Sequence, residues 1–178
     1  MGEHAVIRTR ARRLRRQAER HRAAYDPSGE VNVPGYLGSL TAFGALVTLG
    51  TLAARARGQQ LPERYALSDL VLGGVATHKV SRLLSKSSVT SPVRAPFTEF
   101  EEAAGSAEHT ETPQGDSGVR HTIGELLTCP FCLGQWVGTA YVAGLALAPR
   151  AARTWAAVFT VTAVADTGQH VYERLRAD

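Results

Sequence analysis

Residues 125–141, "ELLTCPFCLGQWVGTAY", contain both cysteines of the chain, Cys129 and Cys132, and lead into an uncharged segment rich in Gly and Ala. Pro130 predicts that a helix begins here, because proline is favoured in the first helical turn. The uncharged run extends from Leu126 to Pro149, and its 24 residues exceed the roughly 20 that a helix needs to cross a bilayer. The stretch therefore predicts a membrane helix that begins at a cysteine-containing turn.

A second uncharged run, also of 24 residues, extends from Val31 to Ala54. Two further apolar segments, 66–86 and 154–173, have helical spacing. In chain order the third helix is the run 126–149 and the fourth is 154–173, and the link "PRAAR" between them is short enough to make them antiparallel neighbours. Soluble helices seldom stay uncharged all round for so long, so a membrane bundle is favoured over a soluble one. We expect an all-α fold, a small helical membrane bundle of about four helices in two hairpins.

Two polar segments accompany this bundle. Residues 3–24 have neither Gly nor Pro and hold eight of the twenty Lys and Arg residues of the chain, so they predict an exposed basic helix that ends at "YDPSG". Residues 87–120 predict a long polar loop, mobile in its acidic second half. The expected domains are a basic N-terminal arm, 1–30, and a helical membrane domain, 31–178.

The basic arm suits anionic lipid headgroups or nucleic acid, or it is a solvated segment that retains the N-terminus in the cytoplasm. Neither a base-reading module nor interleaved aromatic residues accompany the arginines, so nucleic acid is not favoured. Cytoplasmic segments of membrane proteins carry an excess of Lys and Arg. The arm, the long loop and the C-terminal "RLRAD" therefore predict a multi-pass membrane protein with both termini in the cytoplasm.

Three interpretations of the cysteine pair remain open. Cys-Pro-Phe-Cys is similar to the active site of glutaredoxins, but no credible strand of the required βαβ pattern precedes Thr128. A zinc site would need two more ligands, for which His121, Glu125 and His78 are the candidates at the same predicted membrane face. The favoured interpretation is structural, with two small, buried packing residues kept reduced in the cytoplasm.

Small and ionisable residues mark the surfaces of the predicted helices. Gly134 and Gly138 form a Gly-x-x-x-Gly step, which favours close contact with another helix. Asp69, Asp166 and His170 are groups that a bilayer makes costly, so they are candidates for an intramembrane function. Asp166 and His170 are four residues apart on one helical face, so we expect a structural pair in preference to a proton relay.

The sequence contains no evident catalytic motif. It has no Gly-rich phosphate loop, no nucleophile elbow and no His-Glu-x-x-His zinc-protease motif. A structural or interaction role without catalysis is therefore favoured, with membrane lipid and a second copy or another membrane protein as partners. A metal-binding or thiol-redox membrane protein is the first alternative. A soluble helical protein that binds nucleic acid through the arm is the second.

Two stretches carry a resemblance to a known family. The segments "THKVSRLLSKSSVTSPVRAPF" and "GELLTCPFCLGQWVG" are similar to small bacterial multipass membrane proteins catalogued as a domain of unknown function, some of them labelled sporulation proteins. The resemblance covers about residues 66–165 and implies a location in the bacterial cell membrane. It also implies a recurring motif at Thr77, His78, Arg82, Leu83, Pro92, Arg94, Cys129, Pro130, Cys132, Gly134 and Trp136.

This motif suggests how its members are arranged. We expect the cysteine pair and Trp136 to pack with the region of Arg82 and Arg94 as one knot near the cytoplasmic face of the membrane.

Overall fold

The structure is a computed structural model and describes residues 3–177. In chain order, these residues form α1 (Glu3–Tyr25), α2 (Val33–Ala56), α3 (Leu67–Lys86), a 3-10 turn (Ser88–Thr90), α4 (Ser91–Arg94), β1 (Thr98–Ala103), β2 (His109–Pro113), α5 (Gly118–Thr128), α6 (Pro130–Leu147) and α7 (Pro149–Ala177). The chain divides into two compact units, one that ends at Leu40 and one that begins at Thr41.

In the first unit, Asp26 follows α1 and forms the turn that leads to α2. Its carboxylate accepts hydrogen bonds from the Ser28 hydroxyl (2.9 Å) and from the backbone N–H groups of Gly29 (2.9 Å), Glu30 (3.2 Å) and Val31 (2.8 Å). The hydrogen bond from Val31 is the main cause that lowers the pKa of Asp26 below its ordinary value. The prediction that the basic helix ends at "YDPSG" is confirmed.

In the second unit, α3 and α7 run in the same direction. Asp69, near the start of α3, pairs with Arg153, near the start of α7. Further along the same two helices, Lys79 of α3 pairs with Asp166 of α7.

Helix α6 runs against α7, as predicted for neighbours joined by a short link. Near the link, a Cβ atom at Gly144 would lie 3.3 Å from the Ala152 side chain, and further away the rings of Tyr141 and Trp155 stack with centroids 5.7 Å apart. The core between α3, α6 and α7 is small and consists of Ala76, Tyr141, Leu145, Ala152 and Ala156, with Tyr65, Trp155 and Phe159 packed against it.

The prediction of an irregular loop over residues 87–120 is wrong, because strands β1 and β2 form an antiparallel hairpin there. The hairpin tip returns to the end of α3, where the N–H of Ser88 donates to the carbonyl of Ala107 (2.8 Å). The fold is therefore mostly helical and not all-α. Two strands do precede Thr128, but they are antiparallel and so do not form the βαβ unit of a glutaredoxin-like fold.

Within residues 3–177, α2 is the one helix that is long and apolar enough by itself to cross a bilayer. Helix α6 begins at Pro130, as predicted, but the uncharged run 126–149 is not one continuous helix, because α5 and α6 meet at 83° across Cys129. Pro130 explains the break, because proline disfavours a helical conformation of the residue before it, and Cys129 is extended (φ −101°, ψ 102°). By length and composition the described residues therefore give one candidate span, or two if α5 and α6 act together, so the predicted membrane bundle of four helices is not confirmed.

Candidate functional site

The cysteine turn, residues 129–132, lies at the start of α6. The Sγ atom of Cys129 accepts a hydrogen bond from the N–H of Cys132 (3.1 Å), and a disulfide joins the two residues. Cys132 is exposed, and Phe131 between them has 91% of its surface exposed. The expectation of two buried, reduced packing residues is therefore wrong. Because Cys132 is exposed, an external thiol can reach this disulfide, and thiol–disulfide exchange depends on such access.

The five candidate zinc ligands do not converge. His121 lies on α5 with its Nε2 atom 3.7 Å from Glu125, and His78 lies on the wall of a separate cleft. The sulfur atoms of Cys129 and Cys132 are bonded to each other in a disulfide. Across the described part of the chain, no three His, Cys, Asp or Glu side chains are placed to hold a metal ion together.

The glycines of α6 lie against α3. A Cβ atom at Gly138 would lie 3.6 Å from the Cγ2 atom of Thr77, and one at Gly134 would lie the same distance from a serine hydroxyl of α3. Helix α6 therefore approaches α3 with room for little more than a methyl group. Gly73 of α3 is closer still, because a Cβ atom there would overlap the ring of Tyr141. Sequence analysis did not identify Gly73.

The motif residues expected to form one knot have separate partners. The cysteines bind each other, and Trp136 makes an edge-to-face contact with Phe43, with ring centroids 5.2 Å apart. Arg82 and Arg94 instead bind acidic residues of the hairpin.

Arg94 is the most deeply buried charged group of the described residues and connects the hairpin to the end of α3. Its Nε and Nη2 atoms donate to both carboxylate oxygens of Glu111 (2.9 and 2.6 Å). Its Nη1 atom donates to the carbonyl oxygens of Leu84 (2.9 Å) and Ser87 (3.0 Å). The hydroxyl of Thr98 donates to Glu111 (2.7 Å). One guanidinium thus joins the last turn of α3 to β2.

Burial alone would raise the pKa of Glu111. The hydrogen bonds from Arg94 and Thr98, together with the positive charge of Arg94, outweigh that effect and leave the pKa below its ordinary value of 4.5. Glu111 is therefore a charged, fully engaged structural group rather than a proton acceptor available for chemistry.

A cleft of about 690 Å³ lies between α3, α7 and the hairpin tip. Its polar lining includes His78, Lys79, Arg82, Glu108, Asp166 and His170. The guanidinium of Arg82 binds both carboxylate oxygens of Glu108 (2.8 and 2.6 Å), and Lys79 pairs with Asp166. Four of the charged groups of the lining are therefore engaged with each other in two pairs.

The three ionisable residues predicted inside apolar segments are each placed beside a charged group. The carboxylate of Asp69 accepts from Nε (3.0 Å) and Nη2 (2.8 Å) of Arg153. The predicted pair of Asp166 and His170 is wrong, because Asp166 binds Lys79 across the helix interface while His170 lies 3.7 Å from Glu173 on its own helix. Two of the three contacts, those of Asp69 and Asp166, therefore join α3 to α7.

Together these features define a small, mostly helical protein. Helices α3, α6 and α7 pack against each other, a polar hairpin closes one end of this unit, and the cysteine turn lies at the start of α6. The chain belongs to the family described as "Protein of unknown function (DUF1360)", whose model matches residues 72–172. The resemblance found in the sequence is thereby confirmed.

The chain is also similar to a named protein. The chain is 36% identical over 87 residues to "Sporulation protein YjcA" of Bacillus subtilis (strain 168), a match that covers 47% of this chain and 73% of the relative. No solved structure matches the chain.

Proposed function

We propose that the chain is a small integral protein of the bacterial cell membrane that acts through contacts of its helices, with lipid and with a second copy or another membrane protein, rather than through catalysis. The observation that carries the proposal is the surface of α2. Its leucines are more than half exposed over most of the circumference of the helix, at Leu37, Leu40, Leu46, Leu49 and Leu52, whereas the side of Phe43 contacts another helix of the described chain. In water such a surface would be a large apolar patch, whereas lipid would cover it.

The charges within α3 and α7 are compatible with this proposal. Intramembrane ionisable groups are usually paired with one another and directed into a bundle. Asp69 with Arg153 and Lys79 with Asp166 follow this pattern, because each pair joins α3 to α7. We therefore include α3, α6 and α7 with α2 among the membrane-embedded helices.

The proposed orientation follows from the basic residues. The end of α3, the hairpin, the start of α6 and the end of α7 lie at one end of the second unit, and α7 carries Arg174 and Arg176 in its last turn. The positive-inside bias assigns this end to the cytoplasm. The arm, the segment 87–120 and both termini would then be cytoplasmic.

Substitution of Leu46 near the middle of α2 tests the membrane proposal. We expect Leu46→Asp to disfavour insertion by about 3 kcal/mol, because a carboxylate at the centre of a spanning helix is costly. The wild-type protein should stay with membranes during alkaline extraction, and the variant should be depleted from them. The matched control is Leu61→Asp, since Leu61 is a similarly exposed leucine in the connection between α2 and α3.

A soluble protein would give a different result. It would be released by alkali, and both aspartate variants would accumulate normally, because an exposed leucine in water can be replaced by aspartate at little cost. That outcome would favour the soluble alternative in which the basic arm binds nucleic acid.

Thiol–disulfide exchange is the second candidate function, and the exposed Cys132 is the observation that favours it. In such a reaction an external thiolate attacks one sulfur of the disulfide, the other cysteine leaves as a thiolate, and a mixed disulfide forms. Metal binding is less well supported, because the candidate ligands are dispersed. The name of the relative gives a process and no chemistry, so it does not distinguish a structural role from a redox role.

Glutathione buffers provide the test of this second function. We expect the folded wild-type protein to interconvert between dithiol and disulfide, and Cys129→Ser to form a glutathione adduct at Cys132 faster than Cys132→Ser forms one at Cys129, because Cys132 is the more exposed thiol. Alkylation followed by intact-mass analysis measures each species. Thiols that react only after denaturation would refute the exchange reaction.

A further inference from the structure

Helix α1 has a narrow apolar stripe. Ile7, Leu14, Ala18 and Tyr25 are separated by seven, four and seven residues, and these intervals place all four on one face because an α-helix has about 3.6 residues per turn. The three large side chains of this stripe are each more than half exposed. Within the unit that ends at Leu40 these side chains lie on the surface, so the stripe is available to an outside partner.

The arginines of α1 are arranged around this stripe. All eight are exposed: Arg8, Arg10, Arg12, Arg13, Arg15, Arg16, Arg20 and Arg22. Arg8, Arg15 and Arg22 recur every seven residues and therefore follow one border of the stripe, whereas Arg12 and Arg16 lie on the opposite face. Helices with an apolar face bordered by arginines are typical of the surface of anionic membranes.

The turn after α1 fixes how closely the end of α1 is connected to the start of the apolar helix α2. Asp26 is buried and binds the backbone N–H groups of three successive residues that lead into α2. Only seven residues, 26–32, separate the end of α1 from the start of the candidate span. A helix tethered so closely to a spanning helix remains at the height of the headgroups.

We infer that α1 is a lipid-docking helix that binds anionic phospholipid, with its arginines on headgroup phosphates and the stripe of Ile7, Leu14 and Tyr25 at the boundary of the acyl chains. The inference rests on the proposed membrane location and names the lipid class that the arm selects. Nucleic acid would satisfy the arginines but would leave the apolar stripe in water. The amphipathic arrangement therefore favours lipid.

Amide hydrogen exchange of the full-length protein tests the inference in two bilayers, one of phosphatidylcholine alone and one with phosphatidylglycerol added. We expect amides of residues 7–22 to exchange at least about tenfold more slowly in the anionic bilayer, and high salt to reverse much of this protection. Amides of α2 should exchange equally slowly in both bilayers, which separates insertion of the protein from docking of its arm.

Two matched variants identify the docking face. Arg8→Gln with Arg22→Gln should weaken the anionic-lipid protection about fivefold for each arginine lost. Arg12→Gln with Arg16→Gln removes the same charge from the opposite face and should have a smaller effect. Leu14→Gln should also reduce protection, although it leaves the charge unchanged.

Three results would overturn the inference. The first is equal exchange of α1 in the two bilayers while α2 remains protected, which would leave the membrane proposal intact. The second is an equal loss of protection in both arginine double variants together with no effect of Leu14→Gln. The third is protection by a nucleic-acid duplex but not by phosphatidylglycerol. Failure of α2 to insert in either bilayer would contradict the proposed function itself.

Discussion

Arg94→Met should detach the hairpin from the end of α3 and lower the free energy of unfolding by about 3–5 kcal/mol. The substitution leaves Glu111 as a buried carboxylate without its bidentate partner. It also removes the group that donates hydrogen bonds to the backbone carbonyls of Leu84 and Ser87. Thermal unfolding in detergent, together with hydrogen exchange of β1 and β2, measures the effect. The hairpin amides should lose protection before the helices do.

A double variant and a control distinguish a buried charge from a general defect. Arg94→Met with Glu111→Leu should recover part of the lost stability, because replacing both members of a buried ion pair by apolar residues avoids the unpaired charge. Arg82→Met removes a second arginine that binds the hairpin, but that side chain is 52% exposed whereas Arg94 is 0% exposed. The control should cost about 1 kcal/mol or less. Equal losses for Arg82→Met and Arg94→Met would contradict the assignment of Arg94.

The pH dependence should reverse between the wild-type protein and the variant. In the wild type the pKa of Glu111 is lowered in the folded state, so its stabilising contribution is present above the ordinary value of 4.5 and disappears as the pH falls through the lowered pKa. In Arg94→Met burial acts without its counterion, so the pKa of Glu111 should be raised. The variant should then become relatively more stable as the pH falls through that raised value toward the ordinary value of 4.5. Parallel pH profiles would refute the pairing.

The helices could be predicted because their signals are local. The break before Pro130, the uncharged run that became α2 and the short link between α6 and α7 all follow from neighbouring residues. The hairpin has no such signal, since "TEFEEA" in β1 is largely exposed and has no apolar alternation. It depends on Arg94 and Glu111, which are 17 residues apart in sequence. Such a pairing cannot be read from local periodicity.

The candidate site was predictable in its residues and less so in their partners. The motif singled out His78, Arg82 and Arg94, and the structure places the first two on the cleft wall and buries the third. Asp166 was assigned to His170 because helical spacing shows contacts within one helix. Its partner in the structure, Lys79, lies 87 residues away on another helix, and helical spacing carries no information on such a contact.

Gly73→Ala should lower the free energy of unfolding by about 3 kcal/mol, because overpacking in a close helix contact typically costs 1–3 kcal/mol and the neighbouring ring has little freedom to move. The new Cβ atom would overlap the ring of Tyr141, whose hydroxyl donates to the backbone carbonyl of Asp69 (2.8 Å). Size-exclusion chromatography and thermal unfolding in detergent would show the loss.

Gly74→Ala is the matched control, since a Cβ atom at Gly74 has nothing within 4 Å and the same substitution is made one residue away on the same helix. It should be neutral or stabilise the protein by about 0.5–1 kcal/mol, because alanine is the better helix former. Tyr141→Leu combined with Gly73→Ala should cost less than the sum of the single changes, because the leucine removes the ring that the methyl group overlaps. Additive losses would mean that Gly73 and Tyr141 do not touch, and the close packing of α3 against α6 would have to be reconsidered.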